Sequence, residues 1–224
     1  MTEQRKVSLS AGILYLLTFA SIPTLSLYSA AKDSHYLLSS GAADANILLG
    51  GLLEIVVALA CIGTAVALYP VLKKQSTTLS VGLITSRVLE AGAIFIGVAM
   101  MLSLVALRQS GAGAESLPVA HALTTLYDKI FLVSQSFLPA VNDLLLGILL
   151  YKSRLVPRSL SAIGIFGAFP LTIAFVAMLL GGIEQGSPAA GLAALPVALF
   201  ELVLGLWLTF KGFNQRAVAA LEKK

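Results

Sequence analysis

Five ionisable residues, Glu54, Arg87, Glu90, Asp143 and Glu201, fall inside runs of sequence that otherwise read as lipid-buried helix. A charge near the centre of a bilayer costs roughly 2.5–3.5 kcal/mol on insertion scales, so such residues normally face a partner, a cavity or a pathway. Four carboxylates and one guanidinium cannot all pair one to one. Either some of the acids carry protons, or something cationic or polar joins them. The chemistry on offer is ion pairing, proton exchange by a surplus acid, or binding of a small polar solute or ion.

Spacing along the helices sharpens this reading. At a rise of 1.5 Å per residue, Arg87 and Glu90 lie roughly 10 and 15 Å above Ser80. By the same rise Asp143 lies roughly 12 Å from Tyr151 and Glu201 roughly 14 Å from Phe210, so the four share a level. Glu54, roughly 22 Å from Tyr69, sits higher. Arg87 and Glu90 are i and i+3, on similar faces of one helix. Asp143 and Glu201 are the natural partners of Arg87 by depth, and a bidentate pair across helices would remove much of the insertion cost. One reading is an ion pair that fixes helix register and lets nothing past. The other is a carboxylate left beside the pair that holds and exchanges a proton.

A polar stripe leads toward this level. His121, Asp128, Gln135 and Asn142 recur every seven residues, drifting only about 20° per step on a helix. Thr125 and Ser136 lie near it, and Pro139 interrupts it. The stripe is roughly 30 Å long and ends beside Asp143, as a water-lined approach requires. Its outer half also reads simply as a solvated helix end. On the first reading Glu54, Gln135 and Asn142 line the outer approach to Arg87, Glu90, Asp143 and Glu201.

The elements that hold these residues follow from composition. The chain has 224 residues, 58% hydrophobic and only 12% charged, with a mean hydropathy of +0.92. Soluble domains carry about twice that share of charge, so this is an all-α integral membrane protein. About 20 apolar residues cross a hydrocarbon core. Six candidates fall at approximately 8–30, 47–72, 79–107, 119–151, 160–182 and 191–213, a single six-helix transmembrane domain over residues 1–224. The fourth is too long for one span, so its beginning should project. The first has no small-residue cleavage site followed by a soluble domain, and is expected to be a retained helix.

Positive charge sets the orientation. With both termini inside, the inner side holds Arg5, Lys6, Lys73, Lys74, Lys152, Arg154, Arg158, Lys211, Arg216, Lys223 and Lys224. The outer side holds Lys32, Arg108 and Lys129. Eleven against three argues for both termini in the cytoplasm. The single cysteine, Cys61, excludes an internal disulfide, and with two histidines the chain is a poor fit to a Cys/His zinc site. No metal or other cofactor is expected. Membrane lipids are the expected partners, with a small solute, ion or proton as ligand and no nucleic acid.

The odd-numbered spans open alike: Ser8-Leu9-Ser10-Ala11-Gly12, Thr78-Leu79-Ser80-Val81-Gly82 and Ser159-Leu160-Ser161-Ala162-Ile163. Three parallel helical-hairpin repeats would produce this pattern, and so would the preference of Ser and Thr for helix starts. The even spans share an acid followed four residues later by a small residue: Glu54 and Ala58, Asp143 and Gly147, Glu201 and Gly205. By depth, the counterpart of Asp143 in the second span is Cys61. Prolines fall inside spans at Pro23, Pro139, Pro170 and Pro196, where each removes a backbone hydrogen bond and can kink its helix. Gly50-Gly51 and Gly181-Gly182 suit close packing or a helix end.

Several motifs carry a family resemblance. They are Ala67-Leu-Tyr-Pro-Val-Leu-Lys73, Arg87-Val-Leu-Glu-Ala91, Leu150-Tyr-Lys-Ser-Arg-Leu-Val-Pro-Arg158 and Glu201-Leu-Val-Leu-Gly-Leu-Trp-Leu-Thr-Phe-Lys-Gly212. Together they resemble the bacterial membrane family known as domain of unknown function 4386, over nearly the whole chain. The resemblance implies a multi-pass bacterial membrane protein, expected in the inner membrane, and gives no role to Arg87, Glu201, Trp207 or Lys211.

Three functions fit the residues. The leading one is binding or transport of a small solute or ion at the Arg87, Glu90, Asp143 and Glu201 cluster, with proton coupling. The second is a non-transporting sensor, assembly or lipid-binding module with a dry, paired core. The third is an intramembrane enzyme using paired carboxylates, although no His-Glu-x-x-His, nucleophile elbow, Walker loop or Rossmann glycine pattern is present.

Overall fold

A computed structural model describes residues 1–33 and 35–223, so Lys224 lies outside the described residues. Every regular element among them is helical. In chain order these are α1 (Glu3–Leu17), α2 (Thr24–Leu27), α3 (Asp44–Leu72), α4 (Thr77–Gln109), α5 (Leu117–Phe131), α6 (Leu138–Ser153), α7 (Arg158–Leu179), α8 (Pro188–Phe210) and α9 (Gln215–Glu222). Among the described residues six stretches are long and apolar enough to cross a membrane: Glu3–Leu27, Asp44–Leu72, Thr77–Gln109, Ala114–Ser153, Arg158–Leu179 and Pro188–Phe210.

The prolines act unequally. Pro23 follows a 3-10 turn, Thr18–Ser21, that breaks the first span between α1 and α2. Pro139 opens α6 directly after a π-helical segment, Leu132–Phe137, which joins it to α5. Pro170 and Pro196 lie within continuous helices, as does Pro70 of α3. The fourth span runs 40 residues, and α4 beside it runs 33. Both are longer than a hydrocarbon core of about 30 Å requires, so the α4–α5 pair extends past it.

Each span packs on its neighbour in chain order, and α1 returns to α8, so the six close into a ring. Small residues make the closure tight. A Cβ added to Gly12 would meet Thr209 Oγ1 at 2.4 Å and the Gly205 carbonyl oxygen at 2.8 Å, so α1 and α8 touch nearly backbone to backbone. Gly147 does the same between α6 and α7, where a Cβ would meet the Ile165 backbone nitrogen at 3.0 Å. The small residues four positions after the acids are therefore approach points in α6 and α8. In the paired helix starts the buried serines are Ser8, Ser80 and Ser161. The first span turns inward two residues earlier than its motif alignment places it.

Both ends of the ring are covered. Arg5 donates to the Leu208 and Thr209 carbonyls at 3.0 and 2.6 Å, and Ser8 to Leu208 at 2.6 Å. A cation is thus held on the otherwise unsatisfied carbonyls at the C-terminus of α8. The short α9 then folds back, burying Ala217, Val218 and Leu221 against Leu72, Leu150 and Leu155. At the opposite end, Tyr28, Tyr36 and Leu37 pack on Ile47, Met101, Leu104 and Tyr127. There the Arg108 guanidinium binds both oxygens of Asp44, with Tyr36 donating to Asp44 at 2.8 Å and Gln109 at 3.0 Å. Burial and the Asp44 carboxylate push the Tyr36 phenol up to about 12, so it stays a donor.

Candidate functional site

Large apolar side chains such as Ile173, Phe166 and Phe210 lie on the outside of the ring, while its polar residues face inward. Arg87 extends from α4 toward α8, its opposite member in the ring, and is 2% exposed. Its Nη2 donates to Glu201 Oε1 at 2.5 Å and to the Tyr15 hydroxyl at 3.4 Å. Its Nη1 donates to Glu90 Oε2 at 2.9 Å and to the Cys61 thiol sulfur at 3.7 Å. Asn142 Nδ2 donates to the same Glu90 oxygen at 2.8 Å. One guanidinium thereby joins α1, α3, α4 and α8, and Glu90 extends the network to α6.

The outcome for Asp143 differs from the depth argument. Its electrostatic neighbours are Glu201, Arg87 and Glu90. Yet it makes no ion pair with Arg87: it is fully buried and neither carboxyl oxygen has a hydrogen-bond partner among the described residues. Depth is set by rise along an axis, whereas partnership also needs the right azimuth. Glu90 on Arg87's own helix and Glu201 across the ring satisfy both. Asn142 Oδ1, Arg87 Nε and Ser86 Oγ are likewise buried without a hydrogen-bond partner among the described residues. Several unpartnered polar atoms thus belong to residues in or beside one buried network.

Glu54 belongs to a second, separate cluster. It accepts from the Tyr127 hydroxyl at 2.7 Å and the Tyr28 hydroxyl at 3.2 Å and is 4% exposed. The two rings meet edge to face at 5.3 Å, and Tyr28 lies against Gly50, where a Cβ would be 2.5 Å from its ring. Both tyrosines also line a cavity of about 170 Å³ with Lys32, Asp128 and Gln185. Their rings therefore stand between that cavity and Glu54. Lys32 pairs with Asp128 at 2.6 Å and lies over the Tyr127 ring at 5.6 Å.

The seven-residue polar stripe does not persist as one surface. His121 is exposed, Asp128 is half-buried in its ion pair, and Asn142 is fully buried on Glu90. Gln135 is half-buried in the π-helical segment and has no hydrogen-bond partner among the described residues. The i→i+5 turns of that segment rotate everything after it away from the 3.6-residue register on which the stripe was drawn.

Sequence reasoning missed Tyr15, Tyr28 and Tyr127, whose hydroxyls supply the polar contacts that charges were expected to supply. The available signal was modest: a tyrosine in mid-span has to satisfy its hydroxyl. Cys61 did have a signal, because its depth matched that of Asp143.

An all-helical ring of six membrane-spanning helices with an arginine-centred polar interior is a multi-pass membrane protein. A family model described as Domain of unknown function (DUF4386) matches residues 10–212, and the chain belongs to that family. No curated protein and no solved structure matches the chain.

Proposed function

We propose that the protein binds a small solute or ion inside the membrane at the Arg87, Glu90, Asp143, Glu201 and Asn142 cluster, and that Asp143 is the group that takes up and releases a proton. The observation that carries this reading is the Asp143 carboxyl, buried with neither oxygen partnered among the described residues. An ionised carboxylate in that state is too costly to persist unaided, so a proton or a cationic ligand completes it. Arg87, already shared between Glu90 and Glu201, holds the surrounding charge in place. Glu54 and Gln135 belong to the outer approach in this reading, with Tyr28 and Tyr127 between the outer cavity and Glu54. The chain works as one six-helix unit in a bacterial inner membrane with both termini cytoplasmic, an orientation supported by the excess of basic residues at the terminal end.

Purified protein in liposomes carrying an internal pH dye tests this. After an external acid jump, wild-type vesicles should acidify faster than Asp143→Asn vesicles, with Glu201→Gln intermediate. Equal rates in all three, across a range of candidate solutes, would remove the proton-coupling claim.

A second reading has its own support: both terminal nitrogens of Arg87 are engaged by carboxylates. On that reading the cluster is a structural clamp in a sensor or assembly module. Substitutions at Asp143 would then change neither flux nor stability, while loss of Arg87 would lower stability alone.

A further inference from the structure

At the end of the bundle that carries both termini, the α6–α7 turn and the α8–α9 turn enclose a cavity of about 510 Å³. Its lining includes Arg154, Arg158 and Lys211 beside Trp207, Val156 and Phe213. None of the three cations has a carboxylate partner among the described residues. The carboxylates described on this face are taken elsewhere: Glu3 by Lys6 at 2.7 Å, and Glu222 by Gln4 at 2.9 Å and Lys74 at 3.6 Å. Three unneutralised cations around one concavity repel one another, and an anion relieves that repulsion.

The backbone holds this arrangement in place. Arg154 closes α6 in the left-handed conformation, with φ 58° and ψ 25°. Leu155 and Val156 then turn into the core, and the Leu155 carbonyl accepts from the Asn214 backbone N–H at 2.9 Å. That bond ties the two turns together. Pro157 begins α7 without a side-chain cap, which leaves the first N–H groups of a 22-residue helix open beside Arg158. The Arg158 guanidinium is stacked over the Tyr151 ring at 4.9 Å, which orders it before any ligand arrives.

The apolar side of the cavity says where the anion comes from. Trp207 is half-buried at its edge, as an aromatic residue at a membrane interface is. From the neighbouring turn an exposed apolar stripe, Phe210, Leu206, Leu202 and Leu199, runs along α8 toward the bilayer. A soluble phosphate has no use for that stripe; an acyl chain does. We propose that this cavity binds the phosphate headgroup of an anionic phospholipid, with an acyl chain along α8. The site is remote from Asp143 and stands whether or not that residue carries protons.

Trp207 is the only tryptophan in the chain, so its fluorescence reports on this site directly. The full-length protein is reconstituted in phosphatidylcholine vesicles containing a small, equal fraction of either brominated phosphatidylglycerol or brominated phosphatidylcholine. The brominated phosphatidylglycerol should quench Trp207 more strongly. The preference should fall roughly twenty-five-fold in the double variant Arg158→Gln with Lys211→Gln, taking about a fivefold loss per cation near a membrane surface. Lys152→Gln, on the same face but outside the cavity, should retain it. Equal quenching by the two brominated lipids in the wild-type protein would overturn the proposal, and needs no variant to fold. So would an unchanged preference in the double variant. Loss of the preference on adding inorganic phosphate at constant ionic strength would assign the site to a soluble anion and overturn the lipid assignment.

Discussion

Arg87 contributes one positive charge and receives two carboxylates, one hydroxyl and one thiol around it. Removing one partner of a buried pair leaves the other uncompensated and typically costs about 3–5 kcal/mol. Arg87→Ala should therefore lower the thermal midpoint in detergent sharply, measured by fluorescence or by residual monodispersity after heating. Asp143→Asn should leave that midpoint unchanged or raise it, because it removes an acid that has no partner to lose. The two variants thus separate the residue that holds the interior together from the one proposed to exchange a proton. At the outer cluster, Tyr127→Phe deletes the 2.7 Å donor to Glu54 and should cost about 1–3 kcal/mol, the penalty of a buried acceptor left short of a bond. A shift in the same assay near zero would mean that water replaces the hydroxyl.

At the scale of the elements, ring closure depends on how near the backbones of α1 and α8 can come. Gly12→Ala should destabilise the protein, since the new Cβ would sit inside Thr209 and the Gly205 carbonyl. Gly92→Ala on α4 is the control: nothing lies within 4 Å of the added carbon, and a mid-helix Gly→Ala change gains up to about 1 kcal/mol. Thermal shifts of opposite sign are expected, and equal shifts would discount the packing argument. The existence of six spanning helices was legible in the sequence, since apolar runs are local properties. The acid-to-small-residue spacing also proved informative, with Gly147 and Gly205 as close-contact points. The seven-residue stripe misled because it assumed unbroken α-helical geometry, and no residue type announces the π-helical segment at Leu132–Phe137.

For the whole molecule, the proposed orientation predicts labelling from one side. Cys61 is the only cysteine and is buried, so an introduced thiol reports with little background. In intact cells a membrane-impermeant maleimide should label Glu115→Cys and spare Lys152→Cys; the reverse pattern would invert the topology. By itself the sequence determined the membrane class and the presence of six spans, because composition and the length of an apolar run are one-dimensional quantities. Only the tertiary structure decided which charges meet. Closure of the ring sets the azimuth of each helix, and that turned Glu201 onto Arg87, left Asp143 without a partner among the described residues, and drew Glu54 to two tyrosines from distant parts of the chain, whereas Glu90 reaches Arg87 along their shared helix.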